Sequence, residues 1–580
     1  MNIPLELKKM LDGEHGSTKQ KAARLVVDLA STAGATEFIK CSHAHVSGVS
    51  PLTGGHGLRR FLEDLSGDEN ALVEIPTTLN SAGCDKEKMK EMDIQTKDFL
   101  EHQFEIIHSY SKLGIDAILS CTPYDRGIEV EGIGSWAESN AVAFSNSYTS
   151  LITNRESGLS ALSTALTGWA PMWGLHLEVN RVPNILVEVN CELEALSDWS
   201  ILGDWIGKQI QPEWHLPWGM MPYVTGLPKE VSFEQKKALT AAAANYGCPM
   251  LWVDGVTNQP IFGIDWNPQG HLRFTSVDLK ERYDDLAPKG QVDLVVIGCP
   301  QASVGEVRAT AAAVRGRMEF GEKIPNQRLW IFTSGHNHNL LEQEGTLDVL
   351  EEAGALILKD TCPEVTPYNR IKYNHLLTNS LKAEHYLTSG LNRIPTSVMS
   401  IVDCVHHAFN PNLSEGVRPV LDSKVKEVFA TNKSIQHGDL LSEGIGLPSQ
   451  KEWSVKGTAL VTDVPITYLG YVNRDTGVIE EPGHPLDGES IEDTILIYPK
   501  GSGSTVAPFV LMGLIYTGKG PKAIINTDVC PLTLPACSLL NLPYAFGMSD
   551  DICIGINSGD ELEMKLSNGV VSLELLNRVH

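Results

Sequence analysis

The sequence predicts an α/β protein: a large layered body of helices and strands, followed by a β-rich module. Three observations carry this reading. Helical and strand-like segments alternate through most of the chain before residue 440, the signature of α/β layers. Three apolar, β-rich runs in that part each end in a cysteine, at Cys121, Cys299 and Cys362. Beyond a Gly/Ser/Pro-rich stretch at residues 440–453 the pattern changes to short strands with frequent turn signals.

In chain order, residues 18–33 space their apolar side chains as a helix does. Glu37 to Cys41 reads as a strand, and the Gly/Ser/Pro content that follows predicts a loop reaching Gly57. Residues 88–113 predict one long helix, ending before a strand at Ile115 to Cys121. Val292 to Cys299 and Ala355 to Cys362 repeat that order of strand and then thiol. Proline follows Cys299 and Cys362 directly and stands two residues after Cys121, so each thiol is expected at a turn. The C-terminal ends of strands are where sites form in open α/β sheets. In the C-terminal module, Asp493 to Tyr498 predicts a strand. Gly501-Ser502-Gly503-Ser504 predicts a loop, and Thr505 to Tyr516 a buried helix. Ser504 stands at the expected N-cap and Pro508 in the first turn. Asn568-Gly569, inside an alternating run, predicts a closing hairpin. The expected division is residues 1–440 and 453–580.

Composition narrows the function. The chain has 580 residues and a formal net charge of −26, which argues against nucleic acid as a partner. No apolar run reaches membrane-span length, so no membrane partner is expected. The 11 cysteines are odd in number and scattered, and no signal-peptide core precedes them, which predicts a reducing, cytoplasmic setting with thiols as core residues or metal ligands.

The chemistry concentrates in two places. Backbone N–H groups of the serine loop and the positive end of the following helix would stabilise an anion, including the alkoxide of Ser504. Three loop thiols suit a Lewis-acidic iron centre. A base and a Lewis acid are the two parts of a hydro-lyase. The Gly-x-x-x-x-Gly-Lys-Ser/Thr pattern is absent, which disfavours a nucleotide phosphate loop. His43/His45, His336/His338 and His406/His407 raise a rival, a histidine–metal hydrolase, but without the acidic spacing of helical zinc motifs. Gly48, Val49 and Ser50 form a loop that lets backbone approach a ligand. Asn80 and Ser81 offer amide and hydroxyl contacts, Lys382 a cation for a carboxylate, and Arg155-Glu156 a buried pair ordering the cleft. Cys41 and Cys84 flank these loops as rival ligands, while Cys191, Cys248, Cys404, Cys530, Cys537 and Cys553 read as structural.

Together these stretches resemble the aconitase X family, a divergent branch of the aconitase superfamily. The resemblance is carried in order by His45-Val-Ser-Gly-Val-Ser50, Pro76-Thr-Thr-Leu-Asn80, Cys121-Thr-Pro-Tyr124, Asn154-Arg-Glu156, Gly298-Cys-Pro300, Asp360-Thr-Cys362, Asn379-Ser-Leu-Lys382 and Gly501-Ser-Gly-Ser-Thr505. It implies an aconitase-like multi-layer α/β body with a C-terminal β-rich swivelling domain, the small subunit fused to the large one, as in the branch similar to cis-3-hydroxy-L-proline dehydratase. It implies Ser504 as base and Cys121, Cys299 and Cys362 as iron ligands. The implied substrate contacts are Gly48, Val49, Ser50, Asn80, Ser81 and Lys382. Gln301 and Ala302 stand where archaeal members carry His and Cys, so the implied cofactor is a [2Fe-2S] cluster or mononuclear iron. Ser502 stands where relatives with phosphorylated substrates tend to carry a basic residue, which points to a small unphosphorylated hydroxy amino acid. The other readings are a different aconitase-type dehydratase or isomerase, of the phosphomevalonate kind, or a non-catalytic iron-binding protein.

Overall fold

Three parallel sheets make the large body, and in the third the central strands Leu294–Ala302 and Leu329–Thr333 are buried throughout because both faces are covered. The structure, a computed structural model, describes residues 1–94, 97–126, 131–209, 211, 214–257, 266–411, 440–548 and 552–578. The first sheet runs in the order Thr77–Leu79, His43–Val46, Glu131–Trp136, Ser150–Arg155. The second runs Gly270–Thr275, Ile185–Asn190, Pro222–Thr225, Trp252–Val253. The third runs Leu356–Lys359, Leu329–Thr333, Leu294–Ala302, Leu376–Thr378, Thr396–Val398. Every pairing within these three sheets is parallel. No helix among the described residues is long and apolar enough to cross a membrane.

The C-terminal module is a closed barrel of mixed strands, ending in the Glu561–Ser567 and Val570–Asn577 hairpin. Asn568 and Gly569 both take positive φ, 51° and 81°, as the predicted tight turn requires. The barrel also uses Leu440–Gly446, which pairs with Val570–Asn577 and Tyr544–Phe546. Part of the stretch read as a junction is therefore a strand of the module.

Several local expectations change. The predicted loop to Gly57 holds a helix, Pro51–Ser66, capped by the Ser50 hydroxyl, which accepts from Leu52 N–H at 3.3 Å. Its glycines hid the helical pattern. The predicted helix at 88–113 is Lys97–Lys112, preceded by turns; residues 95–96 lie outside the described residues. Ile115 to Cys121 is not a strand. Asp116 bridges Thr78 alone and Leu119 takes φ 49°, so no regular ladder forms, although Ser120 N–H returns to Leu79 O at 3.2 Å. Cys299 lies within its strand, where the register against Leu329–Thr333 breaks between Ile297 and Ala302. Gly298 makes that break possible: at φ +109° a Cβ would stand 2.1 Å from Phe332 O. Ser504 is not the N-cap. The helix is Ala507–Thr517, its N-cap is Val506, and Ser504 opens the preceding turn, its carbonyl accepting from Ala507 N–H at 3.0 Å.

Body and module share one apolar core that includes Leu58, Phe61, Phe509 and Leu511. At its centre the Pro51–Ser66 and Ala507–Thr517 helices cross backbone to backbone. A Cβ on Gly57 would sit 2.4 Å from Gly513 Cα. Away from the crossing, buried Asp28 ties the body to the module, accepting from Ser449 N–H at 3.0 Å and Ser538 Oγ at 2.6 Å. Burial raises the Asp28 carboxyl to about 6 despite these bonds.

Backbone atoms cannot yield as a flexible side chain does. Gly57→Ala is therefore expected to cost about 1–3 kcal/mol by overpacking. Gly316→Ala, in the Val304–Met318 helix with open space around it, is expected to gain about 0.5–1 kcal/mol instead. Thermal melts of the two variants against the parent check the contrast.

Candidate active site

The helix crossing brings the serine loop of the module to a cleft in the body. Gly48, Val49, Ser50, Asn80, Ser81, Cys362 and Ser504 all line this cleft. These are seven of the residues singled out from sequence, drawn together from four distant segments. Glu138, Glu364 and Tyr386 line it as well. The empty space, open mouth included, is about 500 Å³, the scale of a small-molecule site.

Each wall is fixed by local structure. Tyr110 OH donates to Gly48 O at 3.2 Å, and Gln103 Nε2 donates to Val49 O at 2.9 Å. Ser50 Oγ donates to Val365 O at 2.9 Å, which ties this loop to the segment after Cys362. Asn80 Nδ2 donates to Glu138 Oε2 at 2.9 Å, and its Oδ1 accepts from Ser81 N–H at 2.8 Å.

The serine loop is held at every residue. Gly501 N–H donates to Cys530 Sγ at 3.0 Å, and Ser502 N–H to Ile466 O at 2.9 Å. The Ser502 hydroxyl lies 2.6 Å from Thr467 Oγ1, so it is engaged in shaping the loop. Arg155 Nη2 donates to Gly503 O at 3.1 Å. Thr505 Oγ1 donates to Ala137 O, and Thr505 O accepts from Gly158 N–H at 3.1 Å. Ser504 Oγ accepts only a long bond, 3.4 Å from Val506 N–H, and stands half-buried on the cleft wall. Arg155 and Glu156 do not serve as one pair: Arg155 reaches the serine loop, and Glu156 is bonded by Ser160.

Beneath the cleft lies a buried charge cluster. Lys382 Nζ stands 3.6 Å from Glu138 and 3.9 Å from Glu364, donates to Ser139 Oγ at 3.0 Å, and sits 4.7 Å over the Tyr386 ring. Burial works against its charge, but the Glu364 and Glu138 carboxylates outweigh that and hold the ammonium well above its ordinary range. Burial pushes the Glu364 carboxyl up. Lys382 is thus engaged by protein carboxylates on the cleft floor. Neither glutamate carries a sequence signal: no motif points to Glu138, and Glu364 is merely two residues past Cys362.

Cys121, Cys299 and Cys362 approach the same floor. Cys299 Sγ donates to Glu364 Oε1 at 2.9 Å. Cys121 Sγ accepts from Gln301 N–H at 3.3 Å. Cys362 is close enough to feel the charge of both other thiols. Burial pushes Cys121 up to about 12 and the other two well above the ordinary thiol range. Such thiols ionise only beside a cation, which is the donor chemistry of a thiolate-held metal. They are not drawn in to chelating geometry: among the described residues no three His, Cys, Asp or Glu side chains are placed to hold a metal ion. The same holds for the histidine pairs. His336 and His338 lie on the Gly335–Gln343 helix and His406 and His407 on the Ile401–Phe409 helix, so strand alternation applies only to His43 and His45. Cys41 and Cys84 are buried as well, and burial raises both, Cys84 to about 12, so the shift is shared by all five thiols. Cys530, read as structural, is the thiol beneath Gly501.

Removing one member of a buried ion cluster strands the others. Lys382→Met is expected to destabilise the chain by about 3–5 kcal/mol, because two carboxylates lose their counter-charge. Lys382→Arg, which keeps the charge, is expected to recover part of the loss in a denaturant melt.

Comparison with known proteins identifies the family. Family models match along the chain: the aconitase X first domain at residues 2–179, the second at 183–284, the third at 292–410 and the aconitase X swivel domain at 450–573. The chain is 34% identical over 402 residues to the phosphomevalonate dehydratase large subunit of Methanothermobacter thermautotrophicus, a match covering 68% of this chain and 96% of that one. It is 32% identical over 418 residues to the cis-3-hydroxy-L-proline dehydratase of Pseudomonas aeruginosa, covering 69% of this chain and 68% of that one. The crystal structure of the holo-form of Thermococcus kodakaraensis aconitase X superposes with a TM-score of 0.63 at 30% identity, covering 70% of this chain and all 100% of that one. With four domain models in register and a superposable fold, the chain belongs to the aconitase X family.

Proposed function

We propose that this hydro-lyase of the aconitase X type dehydrates cis-3-hydroxy-L-proline to Δ1-pyrroline-2-carboxylate. One observation carries the choice of substrate. Among the described residues the cleft wall presents two carboxylates, Glu138 and Glu364, and no lysine or arginine. A phosphorylated substrate would bring a dianion against acidic groups whose nearest cation, Lys382, is already paired to them. A cyclic imino acid brings a cationic ring nitrogen, which a glutamate can accept, and one carboxylate. The positive end of the Ala507–Thr517 helix favours that carboxylate through its dipole, the first N–H groups being engaged within the turn itself.

Ser504 is the base in this reading. Its hydroxyl is less committed than that of Ser502, and it faces the cleft. The Val506 N–H and the positive helix end favour its alkoxide. Ser504 takes the C2 proton, and the 3-hydroxyl departs. The resulting ring enamine tautomerises to the Δ1-imine, with no change in oxidation state. Cys121, Cys299 and Cys362 would hold an iron centre, mononuclear or [2Fe-2S], whose chemistry when bound is Lewis-acid assistance to the departing hydroxyl. Glu364, bonded by Cys299 and exposed to the cleft, keeps the thiol side and the substrate side in contact. The fused module and the small-molecule cleft make the chain sufficient in itself, with no separate small subunit required.

The second reading is phosphomevalonate dehydration, the activity named for the Methanothermobacter relative. Turnover of cis- and trans-3-hydroxy-L-proline, 4-hydroxyprolines and phosphomevalonate, followed by product absorbance, separates the two. Cis-3-hydroxy-L-proline is expected to be the preferred substrate; faster turnover of phosphomevalonate than of any hydroxyproline would overturn the assignment.

Ser504→Ala is expected to lower kcat by about 10²–10⁴, the loss of a general base. Its melting temperature should barely move, because Ser504 does not cap the helix. Exchange of the C2 hydrogen with deuterated solvent should cease with it. Native exchange in Ser504→Ala would assign the proton to another group.

A further inference from the structure

A single amide joins the three thiol-bearing segments. Gln301 is fully buried, at 0% exposure. Its Oε1 accepts from Cys121 N–H at 3.2 Å. Its Nε2 donates to Leu119 O at 3.2 Å and to Thr361 O at 3.2 Å. Its own main-chain N–H donates to Cys121 Sγ at 3.3 Å. Gln301 lies two residues after Cys299 on the same strand, so one residue reaches the Cys121 segment, the Cys362 segment and the Cys299 segment together.

The bonds admit one orientation of the amide. Turned over, the NH₂ would face Cys121 N–H and the oxygen would face two carbonyls, leaving buried polar atoms opposed. No polar atom of the side chain is left to a partner outside the thiol segments. The main chain beyond it is also fixed: Lys237 Nζ donates to Gln301 O at 2.8 Å and Pro300 O at 3.3 Å while pairing with Glu306. An N–H aimed at a thiol sulfur stabilises the thiolate and withdraws charge from it, which is how proteins tune sulfur-held metals.

We propose that Gln301 is the positioning residue of the thiol centre: its amide sets the spacing of Cys121 and Cys362 about Cys299, and its N–H steadies the Cys121 sulfur. The tuning of a metal rests on the iron reading above; the spacing of the thiols does not.

The test uses the full-length chain with Gln301→Glu, Gln301→Met and Gln301→His. Glutamate keeps the shape but turns an oxygen toward two carbonyls. Methionine keeps the bulk without hydrogen bonds. Histidine retains one donor and one acceptor. Three readouts are taken: iron retained against a chelator, the visible spectrum, and alkylation of each cysteine by iodoacetamide after chelation, mapped by peptide mass. Iron retention is expected to fall roughly 10–100-fold in the Glu and Met variants, with a shifted spectrum and faster alkylation of Cys121, and Gln301→His should recover part of each. Wild-type iron retention with a wild-type alkylation map would overturn the proposal. So would an equal rise in alkylation of remote Cys248 and Cys404, which would signal general loosening. If Cys121→Ser, Cys299→Ser and Cys362→Ser all keep their iron, the ligand assignment fails and the alkylation map alone judges the clamp. Should the Glu and Met variants not fold, Gln301→His carries the same comparison.

Discussion

The cleft exists because two helices touch without side chains between them. Gly57 of the body and Gly513 of the module let the Pro51–Ser66 and Ala507–Thr517 helices approach backbone to backbone. The first helix begins at Ser50, the end of the Gly48–Ser50 loop; the second begins just past Ser504. Closing one crossing therefore sets both the loop that would hold a substrate and the serine that would act on it. Ser50 extends the constraint, since its hydroxyl binds Val365 O next to the Cys362 segment. A side chain at the crossing would move all three together, which is why glycines with no part in chemistry govern the chemistry.

Below the crossing, electrostatics decide what the cleft accepts. The chain carries a formal net charge of −26, and its buried cluster sets one cation, Lys382, between two carboxylates, Glu138 and Glu364. That cation is engaged by the protein, so the cleft wall presents carboxylates and serine instead of a free ammonium. In the proposed reading this favours a zwitterion over a phosphate. Arg155 adds positive charge from behind the serine loop, through Gly503 O, without entering the cleft wall.

Much of this was legible in the sequence, and what was not has physical causes. The apolar runs ending in Cys299 and Cys362 are buried parallel strands, because such strands need no polar alternation. The Asn568-Gly569 hairpin follows from the positive φ that those residues tolerate. The Pro51–Ser66 helix was hidden by its own glycines, which serve a tertiary contact and not a local preference. The segment before Cys121 looks like a strand by composition but makes one bridge, since the positive φ of Leu119 interrupts the extended backbone a ladder needs. Of the residues singled out for the site, seven line the cleft. Glu138 and Glu364 became visible only once the fold paired them with groups elsewhere in sequence, and Arg155, read as the partner of Glu156, meets Gly503 across 348 residues instead. A buried charge carries no local signal of its partner.

In the proposed reading Cys121, Cys299 and Cys362 form one iron centre at the floor of the cleft that Ser504 lines. The direct measurement is iron and acid-labile sulfide per chain, with the visible spectrum, in the parent and in single Cys→Ser variants at these positions and at Cys41 and Cys84. Each of the first three variants is expected to lose the iron while Cys41→Ser and Cys84→Ser keep it. Full iron in all three, or its loss from either of the other two, would contradict it.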